Sequence, residues 1–417
     1  LTPLSPSAVA LFFIAAVAVS TSLRAWLALR QIRHVASHRS EVPAEFAASI
    51  PLADHQRAAD YSVAKSRLFL VELAVDTVLL LAFTLGGVLQ WLSDGIAALG
   101  ATDYVHGLAL FAAYGIVGFL VGLPFSLYRT FKLEARFGFN KMTPALFIAD
   151  IARGALLAVV IGGPVLFAVL WLMAAMGAYW WLYVWLFWLG FNLVAMLLYP
   201  TLIAPLFNKF TPLADEALKT RVDALLERCG FQASGLFVMD GSRRSAHGNA
   251  YFMGFGKARR IVFFDTLLAK LSPDQIEAVL AHELGHFKLH HIWKGIAMQA
   301  AMALAMLWLL GLLIESPAFY QGLGVATPGT AMALILFSLV LPAVLFPLAP
   351  LTSLLSRRRE FEADAYASEH ASANDLVDAL VKLYRDNAAT LTPDPLHSLF
   401  HDSHPPASSR IARLRVR

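Results

Sequence analysis

Residues 272–286 read SPDQIEAVLAHELGH, and the reading of this run decides the rest. Ser272 is a good N-cap, Pro273 suits the first helical position and Gln275 completes a capping box. The helix they start carries His282 and His286, four residues apart. That spacing puts both imidazoles on one face, about one turn from each other, where they can reach one ion. Neutral imidazole suits zinc, and catalytic zinc keeps three protein ligands and one open position. Glu283 adjoins the first ligand, where the general base of metal-assisted hydrolysis stands. The alternative for these five residues is a pair of satisfied histidines on an amphipathic helix.

Two more histidines follow. On a continuous helix His290 shares the face of His282 and His286, but about 12 Å separates it from His282 along the axis. With zinc–nitrogen bonds of about 2.1 Å, both cannot bind one ion. His290 is therefore read as backing the site or lying at an interface. A third ligand must come from another helix. The segment Arg359-Glu360-Phe361-Glu362-Ala363-Asp364 offers Glu360 and Asp364 on one face, with Glu362 about 200° away. With Glu360 as ligand, Asp364 is placed to hold a ligand histidine by its other ring nitrogen. The alternative is a solvated acidic face behind a basic run.

Outside these segments the chain is apolar. Hydrophobic residues make up 58% and charged residues 15%, against about 45–50% and about 25% in soluble domains. Seven stretches, at about 8–28, 68–92, 106–128, 152–175, 178–201, 293–314 and 329–354, are long enough to cross a bilayer. The first lacks the positive leading region of a signal peptide. Basic residues alternate between the connections. Arg30, Arg33, Arg39, Arg57, Lys65 and Arg67 follow the first span, Arg129, Lys132, Arg136 and Lys141 the third, and Arg357 to Arg359 the seventh. The connections after the second, fourth and sixth spans carry no Lys or Arg. The positive-inside rule then puts the N-terminus outside and the C-terminus in the cytoplasm, as an odd number of spans requires.

The organisation that follows has four parts: residues 1–207 with five membrane helices, 208–292 as a cytoplasmic segment bearing the histidine motif, 293–355 with two more membrane helices, and 356–417 as a second cytoplasmic segment. In 208–292, Leu213 to Cys229 reads as an amphipathic helix. Gly235 to Asp240, Asn249 to Phe255 and Arg260 to Asp265 read as strands. The net charge of +4 is small and clustered beside apolar runs, which argues against a nucleic-acid partner. The single cysteine, Cys229, excludes an intrachain disulfide and a thiolate zinc finger.

With these residues assembled, the chain resembles the type 1 CAAX prenyl endopeptidases, a family of membrane zinc peptidases. The likeness rests on Ala204-Pro205-Leu206-Phe207-Asn208 with Lys209-Phe210, on Asn249-Ala250-Tyr251-Phe252 through Asp265-Thr266-Leu267-Leu268, on His282 to His286, on Ser356-Arg357 through Asp364, and on His404-Pro405-Pro406 with Arg410. It implies a mainly α, polytopic fold, with seven transmembrane helices around a water-filled chamber and a zincin-like metalloprotease part bearing a small β-sheet. It implies one zinc on His282, His286 and Glu360, with Glu283 as base and Asp364 behind a ligand. It implies that His404 and Arg410 line the site, where such groups meet a developing oxyanion, and that Asn249 touches substrate. The substrates implied are peptides, prenylated or similar, that lose a C-terminal tripeptide, and membrane lipid surrounds the enzyme. Glu72 and Asp76, inside the second span, either face the chamber or pair with Arg24 or another cation. The Ala- and Leu-rich composition points to a bacterial inner membrane, with the endoplasmic reticulum as the alternative. Two other readings are a heat-shock-type quality-control protease and a non-enzymatic membrane protein with a structural zinc.

Overall fold

The computed structural model describes residues 5–248, 250–253 and 260–416. Helix α1 (Pro6–Ser37) begins at Ser5, whose hydroxyl accepts from the Ala8 N–H, with Pro6 next to it. It packs along α2 (Leu52–Phe83). The straight second span expected at 68–92 is broken. α2 ends at Phe83, and α3 (Val88–Ala97) leaves it at 49°. The break falls at Gly86-Gly87, where Gly87 takes a φ of 73°, a left-handed turn that glycine adopts without penalty.

Helix α4 (Asp103–Tyr128) runs on through a π-helical stretch, Arg129–Glu134. α5 (Pro144–Leu157) and α6 (Gly163–Ala175) form one span, and α7 (Trp180–Leu198) leads into the short α8 (Ala204–Phe207). Among the described residues, six helices are long and apolar enough to cross a membrane, or seven if the bent α2–α3 pair counts as one span. Val78, Ile116 and Val159 project large apolar side chains outward, which water disfavours and lipid accepts. Inside, Phe13, Leu110, Leu170, Trp180, Leu310 and Leu336 form the bundle core.

The polar part begins with β1 (Phe210–Pro212), a strand the sequence reading omits, then α9 (Glu216–Arg228) and β2 (Gly235–Met239). β3 (Ala250–Met253) and β4 (Arg260–Phe264) follow. The sheet order is β1-β2-β4-β3, with β2 and β4 parallel and the outer pairs antiparallel. The short α10 (Asp265–Leu268) precedes α11 (Pro273–Lys288), which carries the histidine motif. Ser272 and Gln275 make the full capping box, so the α11 N-terminus is as the sequence specifies.

Helix α12 (His291–Leu313) returns to the apolar region, and α13 (Pro317–Gly322) links it to α14 (Thr330–Leu345). α15 (Ala349–His370) continues α14 out of the apolar region through Arg357, Arg358 and Arg359. α16 (Ala373–Asp386), α17 (Pro395–His401) and α18 (Ala407–Leu414) close the chain. A second core joins α9, α11, the sheet and the C-terminal helices through Val222, Leu225, Ile261, Phe263, Leu284 and Ile411. Asp394 ties the C-terminal segment to α1. It accepts from the Arg30 guanidinium at 2.9 and 3.3 Å, and its N–H donates to Gln31 Oε1 at 2.7 Å.

Candidate metal centre

Helices α11 and α15 pack closely enough to make one site. A Cβ on Gly285 would meet the Ala363 Cα at 3.1 Å, so glycine there lets the two backbones approach. Across this contact His282 and His286 face Glu360. Their Nε2 atoms are 3.3 Å apart, and the two Glu360 oxygens divide between them, Oε2 3.4 Å from His282 and Oε1 3.4 Å from His286. Donors held at about 2.0–2.1 Å in a tetrahedron around zinc are themselves about 3.3 Å apart. Glu360 is buried, and its Oε2 accepts no hydrogen bond from the protein. A buried carboxylate oxygen without a donor is costly unless a cation meets it. The donor set and its spacing therefore fit zinc. Glu283, one residue beyond His282, is partly exposed and, among the described residues, has no hydrogen bond or ion pair.

The other ring nitrogens are also engaged. His282 Nδ1 lies 2.9 Å from Asp364 Oδ1. Asp364 in turn accepts from Arg410 Nε at 2.8 Å and from its terminal nitrogen at 2.5 Å. Both are buried, and the remaining Arg410 nitrogen lies 3.7 Å from Glu360. Burial disfavours the His282 imidazolium, but the neighbouring carboxylates of Asp364 and Glu360 outweigh it and raise its pKa. The surroundings are thus arranged around positive charge. His404 is largely exposed, with Nε2 3.4 Å from Glu360 Oε1.

His290, expected behind the site or at an interface, is exposed at the start of α12. The helix ends at Lys288 with Leu289 as its C-cap, and His290 turns left-handed with φ 58°, so the face extrapolated from an unbroken helix does not extend to it. The turn brings in His291 instead, whose Nδ1 lies 3.0 Å from His286 Nδ1. His291 Nε2 is 3.0 Å from Glu362 Oε2, and Arg358 donates to the other Glu362 oxygen at 3.0 Å. A left-handed histidine carries little advance signal, so the pair was not evident from spacing. Asn249 lies outside the described residues. Glu72 pairs with Arg129 at 2.6 Å, and with Asp76, Arg24, Thr21 and Thr77 it lines a cavity of about 220 Å³ between helices.

Fold and site together define an integral, multi-pass membrane metallopeptidase that acts on peptide substrates. The chain belongs to peptidase family M48. Residues 212–417 match the family described as Peptidase family M48, and residues 31–209 match CAAX prenyl protease N-terminal, five membrane helices. A CAAX prenyl protease 1 homolog of Oryza sativa subsp. japonica is 39% identical over 370 residues, 86% of this chain and of that protein. CAAX prenyl protease 1 of Saccharomyces cerevisiae is 38% identical over 311 residues, 71% of this chain and 69% of that protein. The crystal structure of S. mikatae Ste24p matches with a TM-score of 0.91 at 31% identity, covering 97% of this chain and 98% of that one. Membership of a peptidase family removes the non-enzymatic reading.

Proposed function

We propose that this chain is a CAAX-type zinc endopeptidase that removes a C-terminal tripeptide from prenylated or similar peptides. The observation that carries the reading is the convergence of His282, His286 and Glu360, whose ligand atoms lie within 4.8 Å of one another, beside a Glu283 that has no partner among the described residues. When bound, zinc supplies Lewis acidity to the scissile carbonyl and to water. Glu283 takes the proton of the attacking water and returns it to the leaving amine. His404, exposed beside the ligands, meets the oxyanion directly. Arg410, locked onto Asp364, adds positive charge from behind the ligands.

A cavity of about 650 Å³ lined by His404, Arg410, Lys65, Asn387 and Tyr384 offers room for the peptide beside the site. Among the described residues β3 is an outer strand of the sheet, near α11, and in this reading an extended substrate lies along the sheet with Asn249, which precedes β3 in the sequence, touching it. In the bilayer the N-terminus faces outside and both catalytic segments face the cytoplasm, following the alternation of basic connections. A bacterial inner membrane is the proposed location.

The test is cleavage of a quenched farnesylated CAAX peptide and its unlipidated twin by detergent-purified protein, with and without a zinc chelator. Chelator-sensitive cleavage with preference for the lipidated peptide supports the reading. Equal cleavage of the twins removes the lipid requirement. No cleavage of either by protein carrying one zinc rejects CAAX-type specificity.

A further inference from the structure

We infer that His291 and Glu362 form a positioning pair that fixes the ring of His286 for the metal, given the proposed zinc at His282, His286 and Glu360. Hydrogen placement leads there. The Glu362 carboxylate only accepts, so the His291 Nε2 at 3.0 Å from it carries the hydrogen. The Nδ1 of neutral His291 is then an acceptor, and it faces His286 Nδ1 at 3.0 Å. His286 must therefore carry its hydrogen on Nδ1, leaving the Nε2 lone pair free on the side of His282 and Glu360. Only one tautomer of each ring satisfies all three contacts.

The two histidine ligands are thus backed differently. His282 meets a carboxylate directly, through Asp364, whereas His286 meets one through an intervening imidazole. Burial supports a specific role, because His291 is 5% exposed and both of its ring nitrogens are used. The left-handed turn at His290 is what points His291 back toward α11. In consequence the three acids of one α15 stretch divide the work. Glu360 faces the metal position, Asp364 holds His282, and Glu362 holds His286 by way of His291. Since His291 is also the first residue of α12, the ring orientation of His286 is anchored to a membrane helix.

The test is zinc affinity, measured by chelator competition on full-length protein in detergent. Groups that orient a ligand histidine change metal affinity by about 10–100-fold when removed. His291→Phe, which keeps a ring but accepts nothing, is expected to weaken zinc within that range. His291→Asn, whose amide oxygen can replace Nδ1, is expected to recover much of the loss. A packing role predicts the opposite order, since Phe fills the space better than Asn. Glu362→Ala is expected to weaken zinc less. Combined with His291→Phe it should add nothing, because both act through one contact. Glu362 is 38% exposed, so its truncation tests the pair even if position 291 tolerates no change. Unchanged affinity in His291→Phe or Glu362→Ala, Asn no better than Phe, or additive losses would each overturn the inference. Wild-type protein that binds no zinc would instead overturn the metal assignment on which it rests.

Discussion

Gly285 of α11 lies directly against Ala363 of α15. A side-chain carbon at Gly285 would sit 3.1 Å from the Ala363 Cα, 3.2 Å from its carbonyl oxygen and 3.1 Å from the Tyr366 Cβ. Two of the three proposed ligands stand on one side of this contact and the third on the other. Gly285→Ala must part the helices by a few tenths of an ångström. Overpacking of this kind costs about 1–3 kcal/mol. The expected result is a lower unfolding temperature together with weaker zinc binding. Normal stability with normal affinity would show that the helices absorb the methyl group elsewhere.

Glu283→Gln separates binding from chemistry. The amide cannot accept the proton of water, yet Glu283 contacts none of the three donors. Zinc content should remain at one per chain, while peptide hydrolysis falls by about 10²–10⁴-fold. Both quantities can be read on one preparation, by elemental analysis and a quenched-peptide assay. Retained cleavage would remove Glu283 from the mechanism.

Asp364→Ala should be far more damaging than its place behind the ligands suggests. It strips the direct backing from His282 and leaves Arg410, 6% exposed, without its hydrogen-bonded carboxylate and with only Glu360 at 3.7 Å. Removing one partner of a buried ion pair costs about 3–5 kcal/mol. Denaturant unfolding should show that loss. Adding Arg410→Met should return part of the stability, because the stranded charge is gone, without restoring activity.

The stacked histidines of α17 give the protein an acid-sensitive element. His397 and His401 have ring centroids 4.3 Å apart. Burial, helped by the neighbouring His401 and opposed by Asp394, lowers the His397 pKa from 6.5 to about 4. Between those values the unfolded chain binds the proton and the folded chain does not. The contribution of His397 is therefore complete above pH 6.5 and is lost progressively as the pH falls toward 4. Melting temperature against pH should decline more gently over that window in His397→Phe. Parallel curves would assign the acid sensitivity elsewhere.

Much of this protein is legible in its sequence. Ser272, Pro273 and Gln275 start the motif helix where local backbone chemistry requires, and apolar runs of sufficient length mark the membrane helices. The spacing of His282 with His286, and of Glu360 with Asp364, follows from helical periodicity. Resemblance to a known family then singles out Glu360 among several acids. Local breaks are less legible. The bend at Gly86-Gly87 and the left-handed His290 interrupt helices whose apolar or periodic pattern continues across them. The strand β1 is only three residues long, too short for alternation to register.

What the sequence alone determined was therefore most of what depends on neighbours within a turn or two, local breaks aside: which long segments are helical, which are apolar, and which side chains of a helix share a face. Only the tertiary structure decided which faces meet. The approach of α11 to α15 at Gly285, the grip of Arg410 on Asp364 and the link from His286 through His291 to Glu362 join residues far apart in the chain, 46 positions for Asp364 and Arg410 and 71 for His291 and Glu362. Contacts of that range depend on how whole helices pack, and no local pattern of residues encodes them.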